Sequence, residues 1–257
     1  MIVRERENEF VLIEQDHHAR ASGDMMAYWR DSLFLGKEWR HSVNYAISQH
    51  DCGWKPFDKA PFWNDKKRAP HTFMDFPLSS KLVLYKQGID QVEERDRYAA
   101  LLCSVHFSSF LTHEAAEEAK KFVAQEKQRQ ERLMDSLEIL NQSFLPFHYG
   151  LLQLGDNLSL YICLNEPGTT KEKEHPFFRN GIPLSPALNE IKKEKIQLYW
   201  RDNQTIVLDT FPFKEELTVS IKQKTVSKES IAAKGFLESY QKAGFQHMTV
   251  RLTTQNN

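Results

Sequence analysis

The chain has 257 residues, 40% of them hydrophobic, which is enough to bury a substantial core as one large domain or a domain with a subdomain. Its 34 Lys and Arg are balanced by 35 Asp and Glu, so charge gives no global case for nucleic acid or an anionic membrane surface as a partner. No apolar run approaches the roughly 18 to 20 residues of a spanning helix, and the charged start Met1-Ile-Val-Arg-Glu-Arg-Glu is unlike a signal peptide, so a cytoplasmic location is expected.

Along the chain, Ile2-Val-Arg-Glu-Arg and Phe10-Val-Leu-Ile read as two short strands about a polar turn. Such a hairpin is marginal alone and needs further strands. His17 to Trp29, Trp39 to Gln49 and Arg95 to Leu111 space their apolar residues at three and four, as packed helices do. Gly53 to Leu78, with Pro56, Pro61, Pro70 and Pro77, predicts a long ordered loop. His113 to Gln142 predicts a long helix with Phe122, Val123, Leu133, Met134, Leu137 and Leu140 on its apolar face, and Phe144 to Leu164 a helix central to the core. Asn165 to Pro186 reads as a connector or flap. Beyond it the period becomes two in Lys195-Ile-Gln-Leu-Tyr-Trp, Thr205-Ile-Val-Leu-Asp, Glu216-Leu-Thr-Val-Ser-Ile-Lys and His247-Met-Thr-Val-Arg-Leu, with a helix at Lys228 to Ala243 before the last. The expected fold is mainly α, α+β overall: a helical bundle with a small antiparallel sheet built from both chain ends. The expected division is a hairpin at 1–14, a helical metal-binding core at 15–166, and a connector with a β-rich subdomain at 167–257.

Chemistry concentrates in a few segments. His50 and Asp51 in Ile47-Ser-Gln-His-Asp-Cys-Gly-Trp are both metal-ligand types where an apolar helix meets a Gly-containing turn. Adjacent helical side chains diverge by about 100°, so the two converge on one ion only at a helix end. A helix-terminal His followed by a loop-capping Asp is the plainer alternative. The company strengthens the metal reading: His17 and His18 open the first helix, His106 sits in the apolar stretch Leu102-Cys-Ser-Val-His-Phe, and Asp156 lies in Leu151-Leu-Gln-Leu-Gly-Asp-Asn-Leu. A carboxylate amid leucines needs a metal or an arginine, because an unpaired buried charge costs several kcal/mol. His106 alone fits a hydrogen-bonded core histidine, and Asp24 a surface carboxylate or an orienting group. Trp29, Trp54 and Trp63 read as core or as walls for a nucleobase, and His175-Pro-Phe-Phe as a packed connector or a lid. Cys52, Cys103 and Cys163 lie in or beside apolar segments with no CxxC spacing and read as buried free thiols. Gly-rich phosphate loops, dinucleotide fingerprints and nucleophile elbows are absent from the sequence.

The order His, His-Asp, Asp resembles the HD-domain superfamily of helical, metal-dependent phosphohydrolases. Matched residue by residue, the resemblance implies His18, His50, Asp51 and Asp156 as the metal ligands. The phrases Gln15-Asp-His-His-Ala, His50-Asp-Cys-Gly-Trp, Ser104-Val-His-Phe and Thr210-Phe-Pro-Phe are also similar to those of a bacterial family catalogued as a domain of unknown function, over nearly the whole chain. The Trp- and Pro-rich loop after the doublet and the C-terminal strands depart from the common HD core. His18 is taken as the ligand over His17.

Two imidazoles and two carboxylates suit Mn, Fe, Co, Ni, Zn or Mg without selecting among them. On a six-coordinate ion they leave positions open for metal-assisted hydrolysis of a phosphate ester. The expected catalytic groups are Asp51, His106 as second-ion ligand or phosphate donor, and Lys55, with Arg97 as a further cation. The expected partner is a small phosphorylated molecule, a nucleotide among the options. The competing expectation is a sensory or binding protein whose metal is a ligand pocket or a fully coordinated staple. Open positions facing a pocket favour the enzyme; a closed shell under aromatics favours the binder.

Overall fold

The computed structural model of the chain describes residues 1–137 and 144–255. In chain order the elements are β1 (Ile2–Glu5), β2 (Glu9–Ile13), α1 (Gln15–Ala27), α2 (Arg40–Gln49), α3 (Lys55–Lys59), β3 (Trp63–Asn64), β4 (Ala69–Pro70), α4 (Leu78–Glu93), α5 (Arg97–Phe110), α6 (Glu117–Ser136) and α7 (Leu145–Leu164). They continue with β5 (Ile182–Pro183), β6 (Lys195–Ile196), β7 (Leu198–Asp202), β8 (Thr205–Leu208), β9 (Leu217–Ser227), α8 (Lys228–Lys234), α9 (Phe236–Lys242) and β10 (Gln246–Thr254). The class is α+β, mainly helical, as the sequence periodicities predict. Among the described residues no helix is long and apolar enough to cross a membrane.

Both chain ends meet in one six-stranded sheet of order β1-β2-β9-β10-β8-β7. The sheet is mixed rather than purely antiparallel: β10 runs antiparallel to β9 but parallel to β8, with Leu252 opposite Ile206. Strand β9 makes the join, because its Leu217–Gln223 portion pairs with β10 and its Lys224–Ser227 portion with β2. Its alternating burial turns Leu217, Val219 and Ile221 into the core. Helix α1 packs on β9 and also against α2 and α7, linking sheet and bundle. A second link is the buried Arg4 on β1, whose guanidinium donates to the Cys163 and Asn165 carbonyls at 3.1 Å each and so caps the C-terminus of α7.

Four local differences from the sequence expectations have physical causes. The stretch from Gly53 is not one long loop: a 3-10 turn at Cys52–Trp54 leads into α3, and β3 with β4 form a small hairpin. Pro56 in the first turn of α3 is no obstacle there, since the first helical amides have no partner to lose. Helix α4 has no counterpart among the expectations, and the Gly88 that weakens its pattern is required by packing. A Cβ on Gly88 would lie 3.0 Å from the Gly53 nitrogen. The long sixth helix starts only at Glu117, after a turn closed by the Glu114 amide on the Leu111 carbonyl, and the part of the predicted helix at 138–142, with Leu140, lies outside the described residues. The predicted helix at Lys228 to Ala243 is broken into α8 and α9 at Gly235, whose φ of 82° is open to glycine at little cost.

Candidate metal centre

Two close helix approaches set up the centre. A Cβ on Gly155 would lie 2.7 Å from Met26 Cγ, and one on Gly23 2.6 Å from Ser48 Cβ, so both residues need to be glycine for α7 and α2 to reach α1 this closely. These approaches carry Asp156, next to Gly155, towards His18 in the first turn of α1 and His50 at the end of α2. His50 keeps helical angles, whereas Asp51 at φ −103°, ψ 16° leaves the helix to start the 3-10 turn. That break turns the side chains of two adjacent residues onto one point. His106 joins from the middle of α5.

The resulting cluster is compact and buried. Asp156 Oδ1 lies 3.1 Å from His18 Nε2 and 3.6 Å from His50 Nε2, and its Oδ2 lies 3.7 Å from His106 Nε2. Asp51 Oδ2 is 3.7 Å from Nε2 of both His18 and His50. Two groups, His18-His50-Asp51 and His50-His106-Asp156, each bring their ligand atoms within 4.8 Å of one another, so these buried clusters could hold a metal ion.

Hydrogen bonds around the cluster prepare the same atoms. The Ile47 carbonyl only accepts, so its 2.7 Å contact puts the proton of His50 on Nδ1 and aims Nε2 inward, where it is buried without a hydrogen-bond partner. Ser159, one turn after Asp156, donates its hydroxyl to the His18 carbonyl at 2.9 Å and accepts from His18 Nδ1 at 2.8 Å, which turns His18 Nε2 towards Asp156. Gln15 donates to Asp51 Oδ2 at 3.0 Å. An orphaned inward nitrogen among carboxylates is what a cation would complete. Ser159→Ala is expected to weaken affinity for added Mn or Zn by about 10–100-fold, read by titration calorimetry, because His18 loses the bond that fixes its tautomer.

The electrostatics follow from burial and mutual charge. Burial lowers the His50 pKa, but Asp51 and Asp156 outweigh it and push the imidazole up to about 9. Burial raises the Asp156 carboxyl, yet the His18 and His50 beside it hold it well below the usual carboxylate range. Asp51 is raised, chiefly by burial. Burial also takes His106 down to about 3, so it is neutral near pH 7.

The cluster forms the floor of a cavity of about 360 Å³. Its walls include Trp54, Phe73, Lys81, Tyr85, Gln153 and Phe177. Of the residues singled out from sequence, the structure brings His18, His50, Asp51, His106 and Asp156 together. Lys55 does not reach them: its ammonium sits 3.2 Å from Asp16 and lines a separate polar groove with Arg20 and Arg95. Arg97 lines another groove with Asp90 and Glu93, Asp24 is exposed and outside the cavity, and His17 faces Phe245 beside the C-terminal sheet. Trp29 and Trp63 are not part of the wall, and all three cysteines are buried and free. Sequence reasoning missed Gln15, Lys81, Tyr85 and Ser159. Gln15 and Ser159 stand at the helical spacings i−3 from His18 and i+3 from Asp156, a signal that was available.

A family model described as a protein of unknown function, DUF3891, matches residues 1–228. No curated protein and no solved structure matches the chain.

Proposed function

Because the chain belongs to the DUF3891 family of proteins of unknown function, we propose its activity from its own residues: a metal-dependent phosphohydrolase acting on a small phosphate ester or nucleotide. One observation carries the reading. Three imidazole nitrogens and two carboxylates converge on the floor of an open cavity, not under a sealed aromatic lid. That arrangement favours the hydrolase over a fully coordinated structural staple. The order His18, His50-Asp51, Asp156 resembles the HD-domain superfamily, and the convergence of these residues supports that likeness. A bound divalent ion would supply Lewis acidity and a lowered pKa for water.

In the reaction proposed, a water oxygen bonds to phosphorus, the ester P–O bond breaks, and the leaving oxygen takes up a proton, giving an alcohol and inorganic phosphate. Asp51 and Asp156 hold the negative charge that keeps a cation at the floor, and Gln15 and Ser159 fix the orientation of Asp51 and His18. His106, neutral and with its Nε2 beside Asp156, would either ligate the cation or donate a hydrogen bond to the phosphoryl group. The test is elemental analysis of the purified protein, then assay with added Mn against phosphate monoesters and nucleotides. Metal and turnover together are expected; metal without turnover would return the binding reading, and protein that takes up no metal would remove both.

The His50 shift gives a pH dependence with a definite sign. In the metal-free protein its raised pKa means stability that is present below about pH 6.5 and lost as pH rises towards about 9. His106 acts oppositely, its contribution falling away as pH drops from about 6.5 to about 3. A cation must displace the His50 proton, so its apparent affinity should rise by about tenfold per pH unit below pH 9 for one proton released. The Tm increase on adding Mn should therefore grow between pH 6 and 8; an increase independent of pH would mean that His50 is not a ligand.

A further inference from the structure

We infer that the cavity takes a phosphate ester of a small aromatic or otherwise apolar molecule, with Lys81 as its phosphate-binding residue and Phe110 and Phe177 holding the apolar part. The inference rests on the phosphohydrolase reading for its floor and goes beyond it in naming the ligand class and the residues that select it. At the floor, a cation held by Asp51 and Asp156 is complementary to a phosphoryl group. On the wall stands one cationic side chain, Lys81 in the first turn of α4. Its ammonium donates to the Met74 carbonyl at 3.2 Å, and the carboxylates that act on it, Asp75 and Glu114, do so through space, Asp75 itself being paired with Lys67. A half-buried ammonium with donors to spare, lining the same cavity as the cluster, is placed for the outer oxygens of a phosphate.

The rim has a different character. Met74, Phe110 and Phe177 line the cavity yet are 42%, 56% and 58% exposed. Apolar groups left in water around the mouth of a charged site gain when a ligand's own apolar surface covers them. Phe110 is held edge-on against His106 at 4.6 Å, so a ring lying on it is next to the cluster. Phe177 is presented by a connector that is itself fixed, since Phe178 beside it is buried and the buried Glu174 is held by Tyr161 at 2.6 Å and Lys171 at 2.7 Å. Of the side-chain amides on the wall, Gln15, Gln153 and Asn157 already donate to Asp51, Tyr149 and the Gln153 carbonyl, so beside the Tyr85 hydroxyl and the Trp54 indole little is left to satisfy a hydroxyl-rich sugar.

The test uses phosphonates, whose C–P bond is not hydrolysed, titrated by calorimetry into the Mn-loaded full chain. Phenylphosphonate is expected to bind roughly tenfold more tightly than methylphosphonate, from burial of its ring. Lys81→Met should weaken both by about tenfold or more, with Lys81→Arg recovering part of the loss. The pair Phe110→Ala and Phe177→Ala should bring the phenyl-to-methyl ratio close to one, chiefly by weakening phenylphosphonate. Equal binding of the two probes by the unmodified protein, or indifference to Lys81→Met, would overturn the inference. Failure of the hydrolase reading looks different: phenylphosphonate binding with this pattern, but no turnover of phenyl phosphate, would leave the ligand class standing and remove the reaction.

Discussion

Asp156→Asn is expected to strip the protein of bound metal and to lower turnover of a phosphate monoester at least about a thousandfold, equivalent to roughly 4 kcal/mol of transition-state stabilisation. Asp156 is the carboxylate that all three cluster histidines share, at 3.1, 3.6 and 3.7 Å. The amide keeps the volume and removes the charge, so nothing collapses into the space. In the metal-free protein the variant gives up the stability of the charged pair, but His50, without its second carboxylate, can stay neutral in its buried position, so no unpaired charge is left behind. Folding should therefore survive while cation binding does not, and elemental analysis beside a thermal melt separates the two. Lys55→Ala is the contrasting control. Its ammonium pairs with Asp16 outside the cavity, so turnover should stay within about twofold, as for a surface ion pair. Full metal content in the Asp156→Asn protein would sink the proposal that this carboxylate is a ligand.

The two variants also mark where the sequence was legible. His18, His50, Asp51, His106 and Asp156 could be picked out because polar ligand types embedded in apolar helical runs need a buried reason to be there. Lys55 was chosen for proximity along the chain to Asp51, and that is a poor guide: the 3-10 turn at Cys52–Trp54 swings the following helix round, sending its first side chain to Asp16. Lys81 was invisible for a related cause. It belongs to α4, whose Ser79, Ser80, Val83 and Gly88 give a weak helical signal, and whose place is fixed by tertiary contact. The sheet divides the same way. Alternation in Leu217 to Lys222 announces a strand, but nothing local says that β10 will return parallel to β8, because that depends on which edge β9 leaves free.

Gly53→Ala is expected to be the most destabilising single methyl group in the region, at about 3 kcal/mol or more. An added Cβ would lie 2.1 Å from the Leu84 carbonyl oxygen and within 3.0 Å of the Gly88 nitrogen and Cα, all of them backbone. No side chain can rotate away, so either the 3-10 turn or α4 must move as a unit. At roughly 2–4 °C per kcal/mol for a protein of this size, Tm should fall by about 6–12 °C. Gly235→Ala tests whether sterics or backbone freedom is the cause. Gly235 has a φ of 82° and ψ of 161° with nothing within 4 Å of where a Cβ would stand, so its penalty is backbone strain alone, about 1–3 kcal/mol. The ordering matters for function because Gly53 is two residues from Asp51, and α4 carries both Lys81 and Tyr85 to the cavity. Displacing α4 should therefore weaken phosphonate binding more than metal binding, since the histidines and Asp156 are carried by α1, α2, α5 and α7. A Gly53→Ala protein with unchanged Tm and unchanged affinities would mean that the turn and α4 are not pressed together as the contact distances require.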